Sequence, residues 1–163
     1  EGIGVLITGE SGAGKSESAL DLITRGHRLV SDDAVHIRRI GDKLLGMSPK
    51  ITFEHLEIRG LGIVNVRELF GVAAVCETIG IDLCIEFQQW DDAGIIERVG
   101  AERLEHEVLG IRRRKIILPV RPGRNLATLV ETAVKIFLTQ NAGFNAAEDM
   151  LSKHSDAVAG KNG

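Results

Sequence analysis

The sequence predicts an α/β domain in which a mixed β-sheet is flanked by helices. Three observations lead there. An apolar, β-branched run from Ile3 to Thr8 is broken by Gly9-Glu10-Ser11-Gly12-Ala13-Gly14 and followed by helical spacing, the first half of a βαβ unit. Further short apolar runs then alternate with helical patterns, which favours a sheet covered by helices. The 163 residues are 44% hydrophobic and 26% charged, the composition of one ordinary folded domain rather than a disordered or coiled-coil chain.

Each element follows from its residues. After Lys15, the apolar side chains of Ala19, Leu20, Leu22 and Ile23 share one helical face, and Gly26 stands where a C′ glycine ends a helix. Arg28 to Ser31 reads as the next strand, ending at Asp32-Asp33. Val35–Ile40 and Lys43–Met47, joined through Gly41-Asp42, read as a β-hairpin. Ser48 to Gly60 reads as irregular, Leu61 to Val66 as a strand and Arg67 to Phe70 as a short helix. Ile81 to Phe87 alternates loosely as a strand, whereas Asp91 to Glu107 is polar, with helical stretches and a mobile loop expected. Lys115 to Val120 is a buried-type strand. Asn125 to Gln140 follows as a helix with Leu126, Leu129, Val130, Ala133, Ile136 and Phe137 on one face. The expected domain covers residues 1–151, and 152–163 is expected to be a polar, disordered tail.

Charge and composition exclude several function classes. Lys and Arg number 20 against 23 acids, a formal charge of -3, so the basic excess of a duplex-binding domain is missing and no nucleic-acid partner is expected. No apolar run approaches the roughly 20 residues of a membrane span. Glu1-Gly2-Ile3-Gly4 lacks a basic n-region. Cys76 and Cys84 are too few for a disulfide framework and read as reduced, buried thiols. A cytoplasmic protein is expected, without a membrane partner. The five histidines have no metal-ligand spacing and read as structural. The chain opens on strand-like sequence without an initiator Met, as a domain cut from a longer protein would.

Gly9-Glu10-Ser11-Gly12-Ala13-Gly14-Lys15-Ser16 fits G-x-x-x-x-G-K-[ST] at every fixed position. The glycines let successive N–H groups turn inward around phosphate oxygens at a helix N-terminus. Lys15 can reach the β- and γ-phosphates, and the Ser16 hydroxyl can ligate Mg²⁺. Asp32-Asp33 follows a strand at the end where such sheets bind ligands. Neighbouring strand residues face opposite ways, so at most one of the two meets the phosphates, as a general base or a Walker-B-type group; an Asx turn is the alternative. In Glu57-Ile58-Arg59-Gly60, Glu57 is a candidate metal residue and Arg59 a candidate phosphate partner, against a plain surface ion pair. Arg121 and Arg124 lie in a Pro/Gly turn just before a helix, a plausible anion site, with Asn125 as an alternative cap. Arg112-Arg113-Arg114-Lys115 reads as a solvated basic loop.

Taken together, the P-loop with Glu17, Leu29-Val30-Ser31-Asp32-Asp33-Ala34, the run Glu57 to Val66 and Pro119 to Asn125 closely resemble the bacterial HPr kinase/phosphorylase catalytic domain. The resemblance runs in order from Gly2 to about Phe144, and the Glu57–Val66 stretch is far more specific than the P-loop. It implies an enzyme that phosphorylates a serine of the phosphocarrier HPr with ATP or pyrophosphate and Mg²⁺. The same enzyme removes that phosphate by phosphorolysis, and so regulates carbon catabolite repression. It implies a nucleotide on Gly9 to Ser16, catalysis by Lys15, and Mg²⁺ on Ser16 and Glu57. Asp33 would be base in one direction and acid in the other, Arg98 the catalytic arginine, and Glu57 to Val66, with Arg59, would serve both reactions. Pro119 to Arg124, with Arg121, would act mainly in dephosphorylation. The nucleotide site is similar to that of phosphoenolpyruvate carboxykinases, and the family forms homohexamers. Two family features, an N-terminal domain and a His before the P-loop strand, do not occur in these residues, and Lys50 to Leu56 departs from the family's apolar stretch. A small-molecule kinase or carboxykinase-like enzyme, and a nucleotide-binding regulatory module, are the rival expectations.

Overall fold

In the computed structural model, residues 2–89, 103–144 and 146–159 are described. The chain divides into two units, 1–130 and 131–163. The first is built on a four-stranded sheet ordered β1-β7-β9-β8. Its strands are Val5–Gly9 (β1), Leu83–Gln89 (β7), Ile111–Val120 (β9) and Leu104–Val108 (β8). β1, β7 and β9 run parallel, and β8 joins the edge antiparallel, so the sheet is mixed as expected. β7, with only Glu86, Gln88 and Gln89 partly or fully exposed, has the near-continuous burial of a central parallel strand.

Helix Lys15–Thr24 (α1) follows β1 through the glycine loop, and Gly26, at φ 95°, ends it as the sequence predicts. The predicted hairpin forms between His36–Ile40 (β2) and Lys43–Met47 (β3). A three-residue strand, Thr78–Gly80 (β6), adds to β3. A second ribbon pairs His55–Ile58 (β4) with Gly62–Asn65 (β5). Asn65 then caps Val66–Phe70 (α2), accepting from the Glu68 N–H at 3.0 Å.

Two apolar clusters hold these pieces. Ile23, Leu29, Leu56, Ile58, Val66 and Ala74 lock the inner face of the β4–β5 ribbon against the α1 side chains Ala19 and Leu20. Leu44, Ile81, Cys84 and Ile111, with Leu6 and Ile37, join the hairpin sheet to the main sheet. Burying each large aliphatic side chain contributes about 1.5–3 kcal/mol, so the ribbon's position is set by packing.

Several expectations are corrected. Arg28 to Ser31 is no strand but a single bridge: Leu29 pairs with Val75, its N–H to the Ala74 carbonyl and its own carbonyl accepting from Cys76. Beyond it, the Ser31 hydroxyl takes the Ala34 carbonyl at 2.5 Å, turning the chain away from any ladder. The segment read as irregular, 48–60, contains β4, whose four residues alternate exposed and buried. The basic run Arg112–Lys115 is not a solvated loop but part of β9, which starts at Ile111 after a tight turn at Leu109 (φ 49°) and Gly110 (φ 75°). Arg113 is tied down there, donating to the Ile81 and Asp42 carbonyls at 2.8 Å each. Residues 104–107, expected among helical stretches, form β8.

Helix Leu126–Asn141 (α3) starts in the first unit, capped by Asn125, which accepts from the Thr128 N–H at 2.8 Å. In the second unit, Ala146–Ala159 (α4) is helical, so 152–159 is ordered helix where a polar, disordered tail was expected. Glu148 and Asp149 in its first turn and a Lys153–Asp149 ion pair at 2.7 Å favour it. Among the described residues, no helix is long and apolar enough to cross a membrane.

Candidate active site

The loop between β1 and α1 is built by backbone freedom at its glycines. Gly9 adopts φ 147°, and a Cβ there would sit 2.7 Å from the Phe87 carbonyl oxygen of the neighbouring strand. Gly14, at φ 87°, is the N-cap of α1, a left-handed residue that no side chain caps. The first N–H groups of α1 therefore stay available to an anion. Lys15 folds back into the loop, its Nζ donating to the Gly9 and Glu10 carbonyls at 2.8 and 2.9 Å. Those bonds hold the ammonium over the nest that Gly9, Glu10, Ser11, Gly12, Ala13 and Gly14 enclose.

The acidic pair divides its work. Asp32 joins three segments: its Oδ1 accepts from the Ser16 hydroxyl at 2.9 Å, and its Oδ2 from the Glu57 N–H at 3.1 Å. One carboxylate thus clamps the start of α1 to the β4 strand. Asp33 stands next to it in the left-handed region, at φ 54°, with an exposed side chain. A non-glycine residue rarely holds that conformation. The sequence places one of the pair towards the phosphates; the structure puts Asp32 on the P-loop serine and leaves Asp33 open to solvent.

The outer face of the ribbon brings Glu57 and Arg59 to the same place. Glu57 lies opposite Ile63 on the exposed face, while Leu56 and Ile58 fill the core beneath it. The Arg59 guanidinium reaches the loop: its Nη2 is 3.4 Å from where a Cβ on Gly12 would stand. Lys15, Ser16, Asp32, Glu57 and Arg59 therefore gather around one loop. The turn carrying Arg121 and Arg124 is held differently. The Arg124 N–H donates to the Arg121 carbonyl and its guanidinium to the Pro119 carbonyl, at 3.3 and 3.2 Å. Arg25, at the end of α1, donates to Asn125 and Thr128 beyond the turn, at 3.2 and 2.9 Å. The Leu126 side chain reaches to 3.3 Å of a Cβ on Gly14, which brings the end of this turn beside the loop. Arg98 lies outside the described residues.

The donor set suits Mg²⁺. Hard oxygen ligands are offered by the Ser16 hydroxyl, whose proton goes to Asp32 and whose lone pairs stay open, and by the exposed Glu57 carboxylate. Among the described residues, no cluster of three or more His, Cys, Asp or Glu could hold a metal unaided. A magnesium ion shared with phosphate oxygens and water needs none.

Beside the loop, the ends of β1 and β7 enclose a cavity of about 370 Å³ whose walls include Thr8, Glu10, Ala13, Glu86, Gln88 and Gln89. Glu86 and Gln88 are not among the residues the sequence singles out; their signal is two polar residues two apart in a strand that is otherwise apolar up to its last two residues. Cys84, also on β7, is buried, and burial holds its thiol pKa above the usual value despite the nearby Arg113 and Lys115 charges.

The family model described as HPr Serine kinase C-terminal domain matches residues 1–154. The chain is 49% identical over 153 residues to the HPr kinase/phosphorylase of Caldanaerobacter subterraneus, covering 93% of this chain and 50% of that protein. It is 48% identical over 158 residues to that of Geobacillus thermodenitrificans, covering 96% and 51%. A solved structure of the Hpr(Ser) kinase/phosphatase from Coxiella burnetii superposes with a TM-score of 0.81 at 35% identity, covering 91% of this chain and 90% of that one. The chain spans about half the length of the curated relatives it matches. It belongs to the HPr serine kinase C-terminal domain family.

Proposed function

We propose that the chain is the catalytic domain of a bifunctional enzyme that phosphorylates a serine of HPr and removes that phosphate by phosphorolysis. The observation that carries the reading is the Ser16–Asp32–Glu57 link, which ties a complete phosphate loop to the ribbon that carries Glu57 and leads to Arg59, in a chain of this family. Phosphoryl transfer asks a protein mainly for positioning and charge neutralisation, and this loop is built for both.

ATP or pyrophosphate would lie with its phosphates on Gly9 to Ser16, against Lys15 and Arg59. Ser16 and Glu57 would hold Mg²⁺, which neutralises phosphate charge when bound. Asp33, exposed beside the clamp, would take the proton of the acceptor hydroxyl as the seryl oxygen bonds to the terminal phosphorus and the bridging P–O bond breaks. In reverse, an oxygen of inorganic phosphate attacks the seryl phosphorus, the seryl P–O bond breaks, and Asp33 returns the proton to the serine while pyrophosphate leaves. Arg98 would stabilise the transferred group, and Arg121 and Arg124 would hold phosphate in the reverse direction. The same reading carries a cytoplasmic homohexamer acting in carbon catabolite repression.

The test is incubation of the chain with HPr and ATP labelled on its γ-phosphate. Labelled seryl phosphate on HPr is expected. Label on a metabolite instead would favour a small-molecule or carboxykinase-like enzyme, and tight ATP binding without transfer would favour a regulatory module.

A further inference from the structure

The main sheet changes character halfway along one face. Leu6 of β1 and Cys84 of β7 are register partners and sit in the apolar core. Two residues further on the same face, the partners are Thr8 and Glu86, followed on β7 by Gln88, all half-buried. Sequestering such groups opposes folding unless something else uses them. Glu86 is paired with Lys115 of β9, their side chains 32% and 22% exposed. A half-buried pair of this kind adds little over apolar packing, so stability does not account for it.

Its position does. Thr8, Glu86 and Gln88 all line the cavity beside the P-loop. The cavity lies at the carboxyl ends of parallel strands, where open α/β sheets bind ligands. Lys115 cancels the Glu86 charge, which would otherwise repel phosphates on the adjacent loop. The neutralised carboxylate keeps lone pairs for hydroxyl or amino donors, and Gln88 can both donate and accept. None of Ser16, Asp32, Asp33, Glu57 or Arg59 lines the cavity, so it is a space apart from the groups read as holding metal and acceptor.

We propose that this cavity takes the nucleoside of the phosphoryl donor, with Glu86 and Gln88 accepting from and donating to its ribose hydroxyls and base. The inference rests on the reading of the P-loop as the donor's phosphate site. It makes Glu86 and Gln88 the groups that let the protein distinguish a nucleotide from bare pyrophosphate.

The test titrates the chain and its Glu86→Gln and Gln88→Ala variants with ADP and, separately, with pyrophosphate, both with excess Mg²⁺. Each variant should weaken ADP about 10-fold and pyrophosphate by less than about 2-fold, the scale of one or two lost polar contacts. Equal losses for both ligands, or no loss for either, would overturn the proposal. If Glu86→Gln fails to fold, Gln88→Ala, nearer the end of β7, decides alone. Loss of ADP selectivity in a chain that transfers nothing to HPr would refute the kinase reading and keep the nucleoside site. Transfer to HPr with equal losses would do the reverse.

Discussion

The loop between β1 and α1 and the turn that carries Arg121 and Arg124, both proposed above to hold an anion, keep their charged groups in different ways. Around the loop, Lys15 is held by two carbonyls and Ser16 by Asp32, and Asp32 is in turn fixed to β4. The ribbon beneath is set by Leu56, fully buried, and Ile58. The arginine turn is exposed, held by bonds of 3.2 and 3.3 Å within itself and fastened beyond its end by Arg25. A site organised before its ligand arrives suits the step common to both reaction directions. An exposed cationic turn suits an anion that enters in one direction only.

The largest effect should come from removing what fixes the first region. Leu56→Ala opens a cavity under Glu57 and should cost about 2–5 kcal/mol, read as a lowered denaturant midpoint; a loss below 1 kcal/mol would mean the ribbon is not set by packing. Next, Asp33→Asn should slow phosphorylation and dephosphorylation alike by about 10² or more, with little change in stability because the side chain is exposed. Normal transfer in either direction would remove Asp33 from its role. Arg121→Ala and Arg124→Ala should reduce dephosphorylation about 10-fold and phosphorylation much less. Equal losses in the two assays would erase the distinction between loop and turn. Smallest is Arg25→Ala, which cuts the exposed bonds to Asn125, Thr128 and Asp21 and should lower stability by less than about 1 kcal/mol. Its sharper readout is dephosphorylation, which should fall slightly while phosphorylation holds.

The parts of this fold that show in the sequence are those whose pattern is local. The glycine loop, α1 with its Gly26 stop, the β2–β3 hairpin and α3 with its Asn125 cap each announce themselves within a few residues. What stays hidden depends on partners distant in the chain. β4 is four residues, and only its pairing with β5 marks it as a strand. Arg28 to Ser31 has strand-like residues but finds one partner, Leu29 to Val75, because Ser31 and Asp32 direct their polar groups elsewhere. The basic run looked solvated because its charges were visible and the carbonyls that Arg113 would meet were not. Helix α4 does have a local signal: between Ala146 and Ala159 there is neither Gly nor Pro to stop a helix. In the site, the motifs give the loop and both aspartates, but not that Asp32 clamps and Asp33 stays open, which rests on 3 Å contacts across segments.

In the function proposed above, one loop runs both reactions and returns the seryl phosphate to phosphate rather than to water. This is tested most directly by giving the chain HPr labelled at its seryl phosphate, together with unlabelled inorganic phosphate and Mg²⁺. The label is expected to leave as pyrophosphate, at a rate that depends on added phosphate. Label recovered as orthophosphate, at a rate indifferent to added phosphate, would contradict it.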